Sequence, residues 1–272
     1  MMSGLHPLID AEELQAQLPE LVVIDCRFSL QDTAAGELAY QQSHIAGAHY
    51  LHLNRDMSGP LGPHGGRHPL PNPIDFCQRL AGLGIGRDTP VVAYDDSGFA
   101  YAARLWWMMR ALGYSNVRVL NGGLAAWQRS GGSLDTVLPA AAAVTAHTAD
   151  EYSGCLDIEG LRNAQEQGAL LLDSREARRY QGLEEPIDPV AGHIPGALSY
   201  PWQDVTDALG LAHPGAQQSE RFAALEPDRK LVVYCGSGVT ACVNLLALEL
   251  AGRNSAALYA GSWSDWCSWL QR

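Results

Sequence analysis

The sequence predicts an α/β fold in two tandem domains, each a parallel sheet flanked by helices. The chain has 272 residues, which is comfortable for two domains of ordinary size. Its two halves carry matching motifs in the same order, and both alternate short apolar runs with longer helix-like stretches. A composition of 47% hydrophobic and 18% charged residues is typical of folded globular proteins rather than disordered ones.

The internal repeat runs through most of the chain. Segments of the first half are matched in order by segments of the second: LVVIDCR (21–27) by LLLDSR (170–175), HIAGA (44–48) by HIPGA (193–197), VVAYDDSGFAYAA (91–103) by LVVYCGSGVTACV (231–243), and NGGLAAW (121–127) by AGSWSDW (260–266). Between the halves, residues 131–150 are mostly small, include a proline and have no helical period. We therefore expect a first domain over residues 1–135, a linker over 136–150 and a second domain over 151–272.

Two apolar runs define the central elements of each half. Val91–Tyr94 and Leu231–Tyr234 predict strands, and the stretches 101–112 and 240–251 that follow them predict helices. A strand that is apolar throughout is typical of a parallel sheet covered by helices on both faces. Right-handed crossovers are expected between successive strands.

The composition excludes several classes of function. A formal net charge of -12 repels phosphate backbones and anionic lipid, so we expect no nucleic-acid partner and no membrane partner. The N-terminal sequence MMSGLHPLIDAEELQAQ has neither the basic nor the apolar region of a secretory signal. No apolar run approaches the roughly 20 residues that span a bilayer. We expect a cytoplasmic protein.

Cysteine and histidine patterns do not indicate a disulfide framework or a metal site. The six cysteines include no C-x-x-C pair, so reduced thiols are expected. His64 and His68 lie in GPHGGRHP, a glycine- and proline-rich stretch without the helical face that a metal-binding pair uses. We expect a solvated loop there.

The turn after Leu231–Tyr234 is the strongest candidate for chemistry. Cys235 begins it, in CGSGVT, just before a predicted helix. Gly236 and Gly238 let the backbone curl, so that amide groups and the helix N-terminus point at the sulfur. Such a cradle favours negative sulfur, either a thiolate or a persulfide anion one bond longer. A buried thiol with only a packing role is the expectation for the other cysteines, Cys26, Cys77, Cys155, Cys242 and Cys267.

Two other motifs fit this turn poorly. GSGVTA has the form of a dinucleotide-binding fingerprint, but the next predicted strand ends at Tyr259, where that fingerprint requires an acidic residue. A C-x5-R phosphatase needs an arginine six residues after its cysteine, and that residue is Ala241. A phosphoryl group would then have only backbone donors.

The motif CGSGVTA, together with the duplicated halves, HIPGA and DSR, resembles the two-domain rhodanese family and, within it, the 3-mercaptopyruvate sulfurtransferase branch. The resemblance covers nearly the whole chain. It implies an enzyme that carries sulfur on Cys235 as a persulfide, needs no metal or organic cofactor, and has a site lined by Gly236, Ser237, Gly238, Val239 and Thr240. Thiosulfate-using members typically read CRKGVT, so the neutral loop here favours 3-mercaptopyruvate.

The resemblance also implies roles outside the loop. Asp95 stands where the first half would have its cysteine, so that half is expected to be a degenerate copy. Arg179, in DSREARRYQG, is expected to bind the carboxylate of the sulfur donor. The family usually has a second arginine nine positions later, where this chain has Asp188. Arg67 is a candidate to replace it.

A Ser-His-Asp relay has been proposed for this family, with the histidine and aspartate coming from the first domain. Ser237, His44 and Asp32 are the candidates here, and Ser237 is also expected to act at the site. The alternative for His44 is a structural histidine bonded to backbone, because His193 recurs at the equivalent place in the second half. The repeated pairs Asp25 with Arg27, and Asp173 with Arg175, are expected to be buried ion pairs.

The predicted reaction has two steps. The Cys235 thiolate takes sulfur from a small anionic donor, and a thiol or cyanide then removes it; a thioredoxin-like reductant is a candidate partner. Two alternatives stay open. One is a thiosulfate sulfurtransferase, and the other is a module that relays persulfide sulfur between proteins, which would need Cys235 but not Arg179.

Overall fold

The structure is a computed structural model, which describes residues 5–140 and 142–270. The chain divides into two compact units. Among the described residues, the first unit contains the chain up to Ser58, Pro71–Ser153 and Asp207–Ala212, and the second contains Gly59–Leu70, Gly154–Thr206 and the chain from His213 onward. Each unit is built on a parallel sheet with helices, so the predicted α/β class is confirmed.

The first unit follows the alternation expected from its sequence. Its elements in chain order are β1 (Leu8–Ile9), α1 (Ala11–Gln17), a 3₁₀ helix (Leu18–Glu20), β2 (Val22–Asp25), α2 (Ala35–Gln42), β3 (His44–Ile45), β4 (His49–Tyr50), α3 (Leu53–Asp56), α4 (Pro73–Gly82), β5 (Val91–Tyr94), α5 (Ala102–Ala111), β6 (Val117–Leu120), α6 (Gly123–Arg129) and β7 (Leu134–Asp135). The main sheet has the order β1-β6-β5-β2-β4 with all pairs parallel, while β3 and β7 pair antiparallel. All of β5 is buried at the centre of the sheet, as its apolar run predicts.

The second unit repeats this order. Its elements are β8 (Cys155–Leu156), α7 (Ile158–Glu166), β9 (Leu170–Asp173), α8 (Ala177–Tyr180), β10 (Leu198–Ser199), a 3₁₀ helix (Trp202–Val205), α9 (Gly215–Arg221), β11 (Leu231–Tyr234), α10 (Ala241–Leu250), β12 (Ala257–Tyr259) and α11 (Ser262–Leu270). The sheet runs β10-β9-β11-β12-β8 with all pairs parallel. The repeat in sequence is therefore a repeat in topology.

The helices of both units are short. Those described have at most 10 residues, as in α4, α5 and α10. No helix in the described part of the chain is long and apolar enough to cross a bilayer. In α10 every residue from Ala241 to Leu248 is buried, so packing on all sides fixes the start of this helix and hence the end of the loop before it.

Two segments belong by contact to the unit of the other half of the chain. Gly59–Leu70 belongs to the second unit, and Asp207–Ala212 belongs to the first. The predicted division at residues 135 and 151 anticipates neither segment and stays a prediction. Within 136–150, the described residues form neither helix nor strand.

The two repeated ion pairs are present and buried. Arg27 Nη2 lies 2.6 Å from Asp25 Oδ2, and Arg175 Nη2 lies 2.6 Å from Asp173 Oδ2. Each guanidinium also donates to a distant backbone carbonyl, Arg27 to that of Ser43 at the end of α2 and Arg175 to that of Gly192. The prediction of two buried ion pairs is confirmed.

Candidate active site

Cys235 lies at the carboxyl end of β11, the central strand of the second sheet. Tyr234 is in register with Asp173, the last residue of β9. Because the strands are parallel, their carboxyl ends meet at one edge, which is where α/β sheets usually bind ligands. The structure places Cys235 in a turn between a strand and a helix, as predicted.

The backbone of Cys235 is held on both sides. Its N–H donates to Ser262 Oγ at 3.1 Å, and its carbonyl accepts from the Trp263 N–H at 3.0 Å. The next carbonyl, that of Gly236, accepts from the Ser264 N–H at 2.9 Å. Cys235 is only 1% exposed, so its sulfur sits in a fixed and largely dry position.

The curl of the loop depends on Gly238. Its φ of 75° is in the left-handed region, which glycine adopts at little cost. A Cβ on Gly238 would also run into the Ala260 carbonyl oxygen. The loop from Gly236 to Thr240 therefore packs closely on the residues that follow β12, and its neighbour Val239 is buried.

Ser262 occupies a strained backbone conformation beside Cys235. Its φ is 57°, and the glycine at the equivalent place of the first unit, Gly123, has a φ of 56°. Besides accepting the Cys235 N–H, the Ser262 hydroxyl donates to the Tyr259 carbonyl at 2.9 Å. The second unit thus has a serine where the backbone favours glycine, and that serine contacts the active loop.

The equivalent loop of the first unit has an aspartate in place of the cysteine. Asp95 replaces the cysteine, and its carboxylate accepts four backbone N–H groups at 2.9 to 3.1 Å, those of Ser97, Phe99, Tyr101 and Ala102. Burial raises the pKa of Asp95 above its ordinary value, while these N–H groups act to lower it. In the first unit this turn therefore offers four backbone donors to one carboxylate, which comes from its own aspartate.

Most of the other thiols are buried in apolar surroundings. Burial raises the pKa of Cys26 well above its ordinary value, raises that of Cys77, and raises that of Cys267 to about 11. Cys242 is fully buried, and Cys155 is partly exposed. The three raised pKa values favour the neutral thiol, which fits a packing role.

Two guanidinium groups lie next to the loop. The position that a Cβ would take on Gly236 is 3.2 Å from Arg67 Nη2 and 3.4 Å from Arg179 Nη1. Both arginines belong to the second unit, since Arg67 lies on Gly59–Leu70. The predicted donor-binding residue Arg179 and the candidate Arg67 are thus brought together one residue from Cys235.

Asp188 joins these two arginines. Its Oδ1 pairs with Arg67 Nη1, and its Oδ2 lies 3.1 Å from Arg179 Nη2. Glu185 also contacts Arg179, with its Oε1 at 2.7 Å from Arg179 Nη2. Burial acts to raise the pKa of Glu185, but the hydrogen bonds from Arg179 and from the Asp188 N–H outweigh it and lower that pKa. For Asp188 burial prevails and its pKa is raised, with Arg67 opposing.

Ser237 has a histidine partner that the sequence analysis missed. His68 Nδ1 lies 2.8 Å from Ser237 Oγ, and both side chains are buried. The expectation of a solvated loop over GPHGGRHP is wrong, because this segment packs on the second unit. The sequence contains no motif that distinguishes His68 from His64. His68 reaches Ser237 because of the path that the segment Gly59–Leu70 follows.

The relay assignment of His44 is corrected by its surroundings. Its Nδ1 lies 2.7 Å from the Tyr40 carbonyl and its Nε2 lies 3.2 Å from the Val137 carbonyl, with the ring fully buried. His193 repeats the first of these contacts with the Tyr180 carbonyl, so the structural alternative holds. Asp32 lies in an exposed turn and accepts the Ala34 N–H, which is a local turn contact rather than a relay.

The segment that carries Arg67 and His68 is anchored on α11. His64 stacks on Trp269 with 3.7 Å between ring centroids, and its Nδ1 lies 2.7 Å from Ser268 Oγ. The Gly65 N–H donates to Asp265 Oδ1 at 2.8 Å. These contacts fix the approach of the segment to the cysteine loop.

Fold and site together define a tandem α/β protein in which the same turn between a strand and a helix begins with Asp95 in the first unit and with Cys235 in the second. The family model for the Rhodanese-like domain matches residues 10–130 and 157–268. A probable 3-mercaptopyruvate sulfurtransferase of Pseudomonas aeruginosa is 45% identical over 95% of this chain and 94% of its own length. A putative thiosulfate sulfurtransferase of Mycobacterium tuberculosis is 38% identical over 96% and 94%. A solved structure of 3-mercaptopyruvate sulfurtransferase from Leishmania major aligns with a TM-score of 0.87 and 28% identity, covering 99% of this chain and 77% of that one.

This chain belongs to the rhodanese-like family and carries two copies of its domain. The resemblance inferred from CGSGVTA and from the repeated motifs is therefore confirmed.

Proposed function

We propose that this chain is a sulfurtransferase that takes sulfur from 3-mercaptopyruvate onto Cys235 as a persulfide and passes it to a thiol or cyanide. The observation that carries the proposal is the pair Arg67 and Arg179 at Gly236, which forms an anion site one residue from a cradled cysteine. The names of the Pseudomonas aeruginosa and Leishmania major relatives support the choice of donor.

In the first step the Cys235 thiolate attacks the thiol sulfur of the donor. The carbon–sulfur bond breaks, and its electron pair leaves on the enolate of pyruvate. The proton of the donor thiol moves through Ser237 and His68, which are in hydrogen-bond contact, to the enolate carbon. Arg179 and Arg67 hold the donor carboxylate, so that the sulfur meets Cys235 in line.

In the second step an acceptor thiol or cyanide attacks the outer sulfur of the persulfide. The sulfur–sulfur bond breaks, and its electron pair returns to Cys235 as the thiolate. Between the steps, the loop Gly236, Gly238, Val239 and Thr240 holds the negative persulfide, as the equivalent loop holds the Asp95 carboxylate.

The two domains have different roles in this proposal. Residues 1–135 form a domain without a catalytic cysteine, 136–150 a linker, and 151–272 the catalytic domain, to which Gly59–Leu70 adds Arg67 and His68. Neither step needs a metal or an organic cofactor. A thioredoxin-like reductant as acceptor and a cytoplasmic location stay predictions.

Thiosulfate as the main donor is the second candidate. The Mycobacterium tuberculosis relative is named for that donor, and the two guanidinium groups, counted without Asp188 and Glu185, carry the charge that a doubly charged anion needs. A persulfide relay between proteins is the third, and it would not need the arginines.

Steady-state sulfur transfer to cyanide and to a dithiol tests the proposal, with 3-mercaptopyruvate and thiosulfate as donors and Cys235→Ser as the inactive variant. We expect turnover in the wild type, a higher kcat/KM for 3-mercaptopyruvate, and no turnover in the variant. Wild-type protein that uses neither donor contradicts the proposal and favours the relay.

Arg179→Gln separates the enzyme from the relay module. Turnover of the small donor should fall by at least tenfold, while transfer from a protein persulfide should persist if the chain is only a relay. Arg178→Gln is the matched control, because Arg178 is exposed and its ion-pair partner among the described residues is the exposed Glu184.

A further inference from the structure

Asp188 occupies the position at which the family usually has a second arginine. Its carboxylate also contacts both arginines of this site. Each of its two oxygens pairs with a different arginine, Oδ1 with Arg67 and Oδ2 with Arg179. Its side chain is 2% exposed, while that of Arg67 is 32% exposed and that of Arg179 is 13% exposed. The Asp188 carboxylate is therefore more deeply buried than the two guanidinium groups that it contacts.

The two arginines keep donors for a ligand. Arg67 Nη2 and Arg179 Nη1 are the nitrogens nearest Gly236. Within residues 5–140 and 142–270, neither of these two nitrogens has a hydrogen-bond partner. One carboxylate has two oxygens, which can accept from two such nitrogens that both lie next to Gly236.

The local charges cancel around this pair. The cations are Arg67 and Arg179, and the carboxylates that contact them are Asp188 and Glu185. Arg175 also contacts Glu185, at 3.2 Å, but its charge is balanced by its own partner Asp173. A second charge on a donor therefore gains little attraction and meets the nearby carboxylate of Asp188. A donor with a single charge avoids most of that repulsion.

We propose that Asp188 determines donor specificity: by bridging Arg67 and Arg179 it aligns them for one carboxylate and cancels the charge that would bind a dianion. The inference rests on the proposed function and names the class of donor that the site selects, a monoanionic 2-oxo acid thiol over a dianionic sulfane. Asp188 acts through the two arginines and is thus a positioning residue.

The variant Asp188→Asn keeps the shape of the side chain and removes its charge. We expect the ratio of kcat/KM for thiosulfate to that for 3-mercaptopyruvate to rise about tenfold. Without the Asp188 charge the two arginines attract the thiosulfate dianion more strongly. They are also less well aligned for the single carboxylate of 3-mercaptopyruvate. Glu184→Gln is the matched control, since Glu184 is exposed and pairs with Arg178; its ratio should stay within about twofold of wild type.

An unchanged or lower ratio in Asp188→Asn overturns the inference while leaving the proposed function intact. If wild-type protein uses neither donor, the proposed function itself fails. The two failures are therefore distinct.

A measurement on the wild type decides the matter if Asp188→Asn does not fold. Pyruvate and malonate are three-carbon anions of one and two charges, and each can be tested as an inhibitor of sulfur transfer at fixed ionic strength. We expect pyruvate to inhibit at a concentration at least about fivefold lower than malonate. Equal or stronger inhibition by malonate contradicts a site that disfavours dianions.

Discussion

At the scale of single residues, Ser262 combines an unfavourable backbone conformation with two useful hydrogen bonds. Its positive φ of 57° would suit glycine, and its hydroxyl accepts the Cys235 N–H. Ser262→Ala and Ser262→Gly both remove the hydroxyl, so both should lower kcat/KM by about tenfold because Cys235 loses an anchor. Only the glycine relieves the backbone, so its free energy of unfolding should exceed that of the alanine variant by about 1 kcal/mol.

Urea unfolding and sulfur-transfer kinetics on the same preparations check this. Ser264→Ala is the control, because Ser264 contacts Gly236 only through its backbone N–H and should behave as wild type. Full activity in Ser262→Gly would mean that the hydroxyl does not position Cys235.

The site residues whose positions could be predicted are those placed by the sequence immediately around them. Cys235 lies in a turn whose glycines and flanking elements are all local, and Arg179 lies in a segment that repeats near the same strand end. His68 and Asp188 could not be assigned in this way. Their partners, Ser237 and Arg67, are 169 and 121 positions away in the chain, and no periodicity encodes such contacts.

At the scale of elements, the segment Gly59–Leu70 is the part of the second unit that brings Arg67 and His68 to the cysteine loop. Its anchor on α11 includes the stack of His64 on Trp269. His64→Ala removes both the stack and the contact with Ser268, so we expect KM for the donor to rise about fivefold as Arg67 loses its fixed position. Donor-saturation kinetics measure this directly.

His64→Phe is the matched variant, because it keeps an aromatic ring over Trp269 and loses only the polar contact. It should retain most of the wild-type KM. If His64→Ala leaves KM unchanged, the segment is held by its other contacts, such as that of Gly65 with Asp265, and the anchor assigned to His64 is wrong.

Elements differed in how well their sequences specified them. The bounds of the central strands β5 and β11 match the predicted apolar runs. A strand that is buried on both faces needs an apolar residue at every position, and such a run is easy to recognise in the sequence. The edge strands β8 and β10 have two residues each. Such short strands form only by pairing with a neighbour, so no local pattern could predict them.

At the level of the whole molecule, the two units share one topology and differ in the residue that begins the turn after the central strand, Asp95 in the first and Cys235 in the second. The repeated motifs predicted this topology, since matched strands and turns in the same order require matched sheets. The exchange of the segments Gly59–Leu70 and Asp207–Ala212 between units could not be predicted, because it depends on which surface each loop packs against. Contacts of that kind have no signature in the sequence of either loop.

The turn that holds Asp95 in the first unit should contribute to the stability of the fold and not to the reaction. Asp95→Ala leaves four N–H groups, three of them buried, without their acceptor, so we expect the free energy of unfolding to fall by about 3 kcal/mol. Because Cys235, Ser237, Arg67 and Arg179 all lie in the second unit, kcat per folded molecule should stay within about twofold of wild type. Urea titration combined with cyanide-releasable sulfur separates the two effects.

Asp96→Ala is the control for this prediction, because Asp96 is the neighbouring exposed carboxylate and its one hydrogen bond within the described part of the chain comes from the Ser97 hydroxyl. It should change the free energy of unfolding by less than about 0.5 kcal/mol. A large loss of kcat in Asp95→Ala with unchanged stability would give the turn that holds Asp95 a part in the reaction. Lost stability with retained turnover instead means that the four donors hold the Asp95 carboxylate in the service of folding, and that the reaction depends on the cysteine-bearing turn of the second unit.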